Sequence, residues 1–93
     1  MTLTEFGRRV AENGSRGLDH GWGNAMLLMG AGVRGGRYYG TWPGLGPANL
    51  TDGDLAVTTD YRSVLAEVLG ARFNASAAQV FPGLKPETVG VMA

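Results

Sequence analysis

Between Tyr61 and Leu69 the apolar residues recur at helical spacing. Tyr61, Val64, Leu65, Val68 and Leu69 occupy positions i, i+3, i+4, i+7 and i+8, with Arg62, Ser63 and Glu67 on the opposite face. This pattern predicts an amphipathic helix with Thr59 or Asp60 as its N-cap and an end near Gly70. Ser76-Ala77-Ala78-Gln79 then shows capping-box spacing, and Pro82 stops what it starts. A single helical turn carrying Val80 and Phe81 inward is expected there, followed by a frayed tail after Lys85.

Upstream the pattern changes to short apolar runs interrupted by glycine. Twelve of the sixteen glycines precede residue 47, which favours loops and short strands over helices. A strand ending near Thr4 is expected because Thr2-Leu3-Thr4 runs into the polar Glu5 and the breaker Gly7. Ala25-Met26-Leu27-Leu28-Met29 is a continuous apolar run that reads as a strand buried on both faces, a buried helical turn being the other reading of the same pattern. Arg37-Tyr38-Tyr39 and Leu55-Ala56-Val57-Thr58 read as further extended pieces, and Trp42 to Pro47 as a turn-rich connection. The expected fold is α/β, with short strands in a glycine-rich N-terminal half followed by an amphipathic helix.

Ninety-three residues set the scale at one small domain with a modest core. A hydrophobic content of 44% and zero formal net charge exclude a strongly basic nucleic-acid binder and a disordered acidic tail. In the first part Arg8, Arg9, Arg16, Arg34 and Arg37 outweigh Glu5, Glu12 and Asp19, a bias that favours anionic ligands there. The absence of cysteine excludes disulfides and zinc held by sulfur. No run approaches the roughly 20 apolar residues of a membrane span, and the longest candidate stops at Gly30. Arg8-Arg9 is followed by Val10-Ala11-Glu12-Asn13-Gly14, which is no apolar signal region, so the chain as written reads as cytoplasmic without a signal peptide.

Chemistry concentrates between Thr4 and Gly23. Glu5, Asp19 and the only histidine, His20, lie in one glycine-flexed segment, and these side chains bind divalent cations such as zinc, manganese or calcium and move protons. A two-metal hydrolytic site needs more ligands than these three and Glu12 supply. The plainer readings are a loop histidine bonded to backbone and a solvated Glu5 paired with Arg8 or Arg9. Gly30-Ala31-Gly32-Val33-Arg34-Gly35 satisfies the dinucleotide fingerprint, but the following Gly36-Arg37-Tyr38-Tyr39-Gly40 is a poor helix sequence, so the context fails. Arg34 to Tyr38 has the composition of a single arginine-glycine RNA-binding segment, for which a tight turn is the better explanation in a neutral chain. Trp22 and Trp42 are expected either to line a cleft or to pack against the helix. Asn49-Leu50-Thr51 and Asn74-Ala75-Ser76 are formal glycosylation sequons.

Thr4-Glu5-Phe6-Gly7-Arg8, Glu12-Asn13-Gly14, Asp19-His20-Gly21-Trp22-Gly23-Asn24, Gly35-Gly36-Arg37 with Tyr39-Gly40, Thr58 to Arg62 and Phe81-Pro82-Gly83 together resemble the C-terminal region of the domain of unknown function 1501 family. That family is related to the alkaline phosphatase and sulfatase superfamily, whose members build a metal-dependent hydrolase site on a mostly parallel sheet. The resemblance implies that Glu5 stands for a strand-end carboxylate and that His20, with Asp19 beside it, stands for a metal or phosphate ligand. Relatives are several times longer, so it also implies a fragment of an alkaline-phosphatase-like fold, inactive alone. Its expected partners are the missing N-terminal half or a second copy of the chain. The alternative is a small noncatalytic interaction module whose strands pair among themselves under the helix.

Overall fold

A computed structural model describes residues 1–93. The chain divides into two compact units, one made of Met1–Leu28 and Thr41–Thr58, the other of Met29–Gly40 and Thr59–Ala93.

The first unit is organised by a two-stranded antiparallel hairpin. Strand β1 (Gly7–Glu12) pairs with β2 (Leu18–Gly21) in the register Gly7 to Gly21, Arg8 to His20 and Glu12 to Leu18, with an irregularity between Arg8 and Glu12. Asn13 builds the connection, because its Oδ1 accepts from Ser15 N–H (2.9 Å) and Gly17 N–H (3.0 Å) while its own N–H donates to Gly17 O (2.8 Å). Gly7 is a member of the strand and not its breaker. A Cβ there would lie 1.6 Å from the carbonyl oxygen of Gly23, so only glycine permits this approach of backbone to backbone.

A second turn follows the same logic. Thr51 and Asp54 exchange backbone hydrogen bonds (2.9 Å each) around Asp52 (φ 51°) and Gly53 (φ 82°), the positive-φ pair of a type I′ turn. Arg9 bridges to Asp54 on the opposite side of this turn. A 3₁₀ turn, Pro47–Asn49, closes the Trp42 to Pro47 connection.

Several expected strands are not formed. Thr2 to Thr4 is irregular, although Thr2 N–H donates to Leu27 O (2.9 Å) and Leu27 N–H to Thr2 Oγ1 (2.8 Å). Ala25 to Met29 has neither strand nor helical structure, and Leu27 and Met29 are 66% and 84% exposed. Leu55 to Thr58 and Arg37 to Tyr39 are likewise unpaired. The physical reason is common to all four: an apolar or β-branched run becomes a strand only when a neighbour accepts its ladder, and this chain offers none. Trp22 and Trp42 stand in solvent, 75% and 69% exposed.

The second unit centres on helix α1 (Tyr61–Phe73). Asp60 is its N-cap, accepting from Arg62 N–H at 2.9 Å and pairing with the Arg62 guanidinium at 2.6 Å. The helix runs through Gly70, because Ala71, Arg72 and Phe73 continue it until Asn74 turns left-handed (φ 52°). The N–H groups of Asn74 and Ala75 both reach Leu69 O. The short helix α2 (Ala77–Val80) forms without a side-chain cap from Ser76, and Val80 stays exposed while Phe81 is half-buried.

Within α1 the buried residue is Ser63, from the face its pattern marks as polar, while Val64, Leu65, Val68 and Leu69 are half-buried. Ser63 is 1% exposed, whereas Tyr61 is 55% exposed. The covering layer is the tail, which does not fray. Glu87 N–H donates to Ser63 Oγ (3.0 Å), and Arg34 N–H to Val91 O (2.9 Å) and Ala93 N–H to Gly32 O (2.7 Å) form an antiparallel bridge around Val33 and Met92. Val91, at 5% exposure, is the one fully buried apolar side chain. The fold is therefore mixed α and β in a loose sense, a hairpin and two helices.

Candidate functional site

Glu5, Asp19 and His20 sit on or beside the hairpin, and the hairpin keeps them apart. Glu5 precedes β1 and is exposed. It pairs with neither nearby arginine. Arg8 lies over the Phe6 ring (5.0 Å to its centre) and donates from Nη1 to Leu18 O (2.7 Å), while Arg9 donates from Nη2 to Asp52 O (2.6 Å). Asp19 and His20 are successive residues of β2, so their side chains leave opposite faces of the strand. Asp19 Oδ1 accepts from Asn13 Nδ2 (2.9 Å), which ties it to the hairpin turn. His20 is stacked on Phe6, with ring centres 3.6 Å apart and planes 17° from parallel, and is held by that contact instead of a backbone hydrogen bond. The Phe6 ring thus meets both the Arg8 guanidinium and the His20 ring. Nowhere do three histidine or carboxylate side chains converge. Singly, each of the three residues offers a solvent-facing donor atom.

Two arrangements carry stronger electrostatics, and neither was apparent as a motif. In the first unit Asp54 is 8% exposed, and its Oδ1 lies 3.2 Å from Arg9 Nε with no hydrogen bond aligned on it. The Asp52-Gly53 pair was the available signal, since Asp-Gly marks a two-residue turn that fixes what flanks it. In the second unit Glu67 receives N–H bonds from Val89, Gly90 and Val91 at the edge of an open groove of about 520 Å³, which Arg34, Ala66, Glu87 and Met92 also line. Desolvation pushes the Glu67 carboxyl up, but the bonds from Gly90, Val91 and Val89 together with the Arg34 charge outweigh it and hold the group below the usual glutamate range. The sequence pattern places Glu67 on the face of α1 opposite the apolar residues.

The dinucleotide and RNA patterns find no support in the backbone. Gly30 to Val33 is a turn closed by Val33 N–H to Gly30 O (3.2 Å), with no helix after it. The following segment bends at Gly36, Tyr39 Oη donates to Arg34 O (2.6 Å), and Tyr38 is fully exposed.

The model of the family described as protein of unknown function (DUF1501) matches residues 1–82, and the chain belongs to that family. No curated protein and no solved structure matches it.

Proposed function

For this member of the DUF1501 family we propose a noncatalytic role by itself, as the C-terminal piece of a metal-dependent phosphate or sulfate ester hydrolase-like domain of the alkaline phosphatase and sulfatase type. One observation carries the reading: the first unit has no fully buried apolar side chain, while Leu3, Trp22, Leu27 and Trp42 are all more than half exposed. A free-standing domain closes around an apolar core, and an open one asks for the surface that would cover it. The rest of a larger sheet domain is such a surface.

The site residues agree with a partial contribution. A divalent ion such as zinc, manganese or calcium needs several oxygen or nitrogen ligands converging within bonding distance. As arranged here Glu5, Asp19 and His20 do not fit one, because Asp19 is engaged by Asn13, His20 is stacked on Phe6 and no third ligand meets them. In this proposal they become ligands only beside carboxylates from outside the chain, and the partner is the N-terminal half of the parent domain or a second copy.

The alternative, a small interaction module, is favoured by the second unit, whose tail closes over α1 without outside help. Size-exclusion chromatography, dye binding to exposed apolar surface and Trp22/Trp42 fluorescence on the purified chain separate the two. The hydrolase-piece reading expects an associating, dye-binding chain with no turnover of p-nitrophenyl phosphate or sulfate in the presence of any of the three ions. A dye-free monomer whose tryptophan signal melts cooperatively would overturn it in favour of the module, and turnover by the chain alone would overturn its inactivity.

A further inference from the structure

Residues 86 to 93 end the chain over the Ser63 and Glu67 positions of α1, and what fastens them is largely polar. Both oxygens of one carboxylate serve three successive backbone N–H groups: Val89 to Oε1 (2.5 Å), Gly90 to Oε1 (2.8 Å) and Oε2 (3.1 Å), and Val91 to Oε2 (2.9 Å). A left-handed residue between right-handed neighbours turns consecutive N–H groups toward one point, and Gly90 has φ 84°. Such a concavity is an anion-binding nest, here filled by a side chain of the same molecule. The ionised carboxylate accepts at both oxygens. Its protonated form turns one oxygen into a donor, which then opposes an N–H.

We propose that Glu67 is a proton-operated latch: ionised, it clasps residues 89–91 against α1, and protonated, it releases that strap and widens the groove beneath it. The charged groups around it set the direction. From the segment before α1, Arg34 faces the groove and favours the ionised form, whereas Glu87 of the tail itself faces it with a like charge. On α1, Arg72 is directed to Ala31 O (3.4 Å). The folded-state carboxyl is held below its ordinary value, so the clasp is complete above the unfolded glutamate range of about 4.3 and is lost as the pH falls through the lower folded value. Release is local, because Arg34 N–H to Val91 O (2.9 Å) is a backbone-to-backbone bond with no side chain in it.

The test is amide NMR of the isotope-labelled 93-residue chain, titrated from neutral to acidic pH. The Val89, Gly90 and Val91 amides should move together through one midpoint below the ordinary glutamate value, with exchange protection falling by about tenfold as charge-assisted bonds are lost. The Phe81 amide, which donates to Ala77 O (2.8 Å), serves as the control. Glu67→Gln should abolish that midpoint and Glu87→Gln should leave it in place. The latch is overturned by amides that do not titrate, by unprotected amides at neutral pH, or by a midpoint that vanishes in Glu87→Gln. If Glu67→Gln loses α1 by circular dichroism, the wild-type titration and the Glu87→Gln chain decide. The readout lies wholly in the second unit, so its outcome is separate from that of the hydrolase-piece reading.

Discussion

The hairpin unit and the helix unit solve the same shortage of apolar core in different ways. In the hairpin unit closure is steric and cationic: Gly7 meets the Gly23 backbone, and Arg9 spans Asp52 and Asp54. In the helix unit closure is by capture, a tail held by Ser63, Glu67 and a backbone bridge over the buried Val91. The first mechanism depends on the missing side chain of Gly7 and on the Arg9 guanidinium, the second on one carboxylate being charged. They should therefore respond to different perturbations, and each region can be broken without touching the other's chemistry.

The largest effect is expected from Gly7→Ala. The added carbon would overlap the Gly23 carbonyl, with backbone on both sides and no flexible side chain to yield. Overpacking of this kind should destabilise the hairpin by about 2 to 3 kcal/mol. Urea denaturation followed by tryptophan fluorescence would show it, since Trp22 and Trp42 both belong to that unit, while far-ultraviolet circular dichroism of α1 should be unaffected. An unchanged tryptophan midpoint would mean that the close approach does not hold the unit together.

Glu67→Ala comes next. It removes the acceptor of three N–H groups and should loosen the tail by about 1.5 kcal/mol, measured by hydrogen exchange at Val89 to Val91. If the hairpin unit lost protection equally, the proposed independence of the two closures would fail. Arg9→Ala should cost the hairpin unit about 1 kcal/mol, because it strands the buried Asp54, although the half-exposed guanidinium keeps the figure modest. Double substitution Arg9→Ala with Asp54→Asn should recover part of that loss in the same denaturation assay.

The smallest effect concerns the start of α1. Asp60→Ala should cost about 0.5 to 1 kcal/mol of helix stability, seen as a lower thermal midpoint by circular dichroism. The Arg62 side chain, and after it the Arg62 backbone N–H, holds the Asp60 carboxyl below its usual range. Asp60 and Glu67 are thus both depressed in the folded state. Their contributions are present above the unfolded carboxylate range and disappear as pH falls through the folded values. An acid titration of α1 in the Asp60→Ala, Glu67→Gln double variant should be flatter than in the parent chain, and equal slopes would remove both carboxylates from the account.

The helix shows what sequence pattern reads well. Tyr61 to Leu69 forms at the expected place and Asp60 caps it as expected, because both signals are local. Its end moves from Gly70 to Asn74, since glycine only weakens a helix while a left-handed asparagine ends one. The strands were read poorly because composition cannot supply a pairing partner. Ala25 to Met29 has the residues of a buried strand and none of its neighbours, whereas Gly7 to Glu12, where the pattern marks Gly7 as a breaker, pairs because Asn13 and the glycines let the chain return. Of the candidate site, Glu5, Asp19 and His20 were legible as chemistry-bearing types, but their separation by strand alternation, stacking and the Asn13 contact was not.

By itself, then, the sequence determined the small size, the neutral charge, the absence of thiol chemistry, the position of the main helix and its cap, and the DUF1501 membership. The membership rests on a pattern running over residues 1–82, and the others follow from composition or from interactions spanning a few residues. The tertiary structure decided that Ser63 is the buried residue of α1, that Glu67 is a clasp and not a solvated charge, and that Gly7 packs rather than breaks. Those outcomes depend on groups far apart in sequence, Gly7 with Gly23, Ser63 with Glu87 and Glu67 with Val91, whose meeting no local pattern encodes.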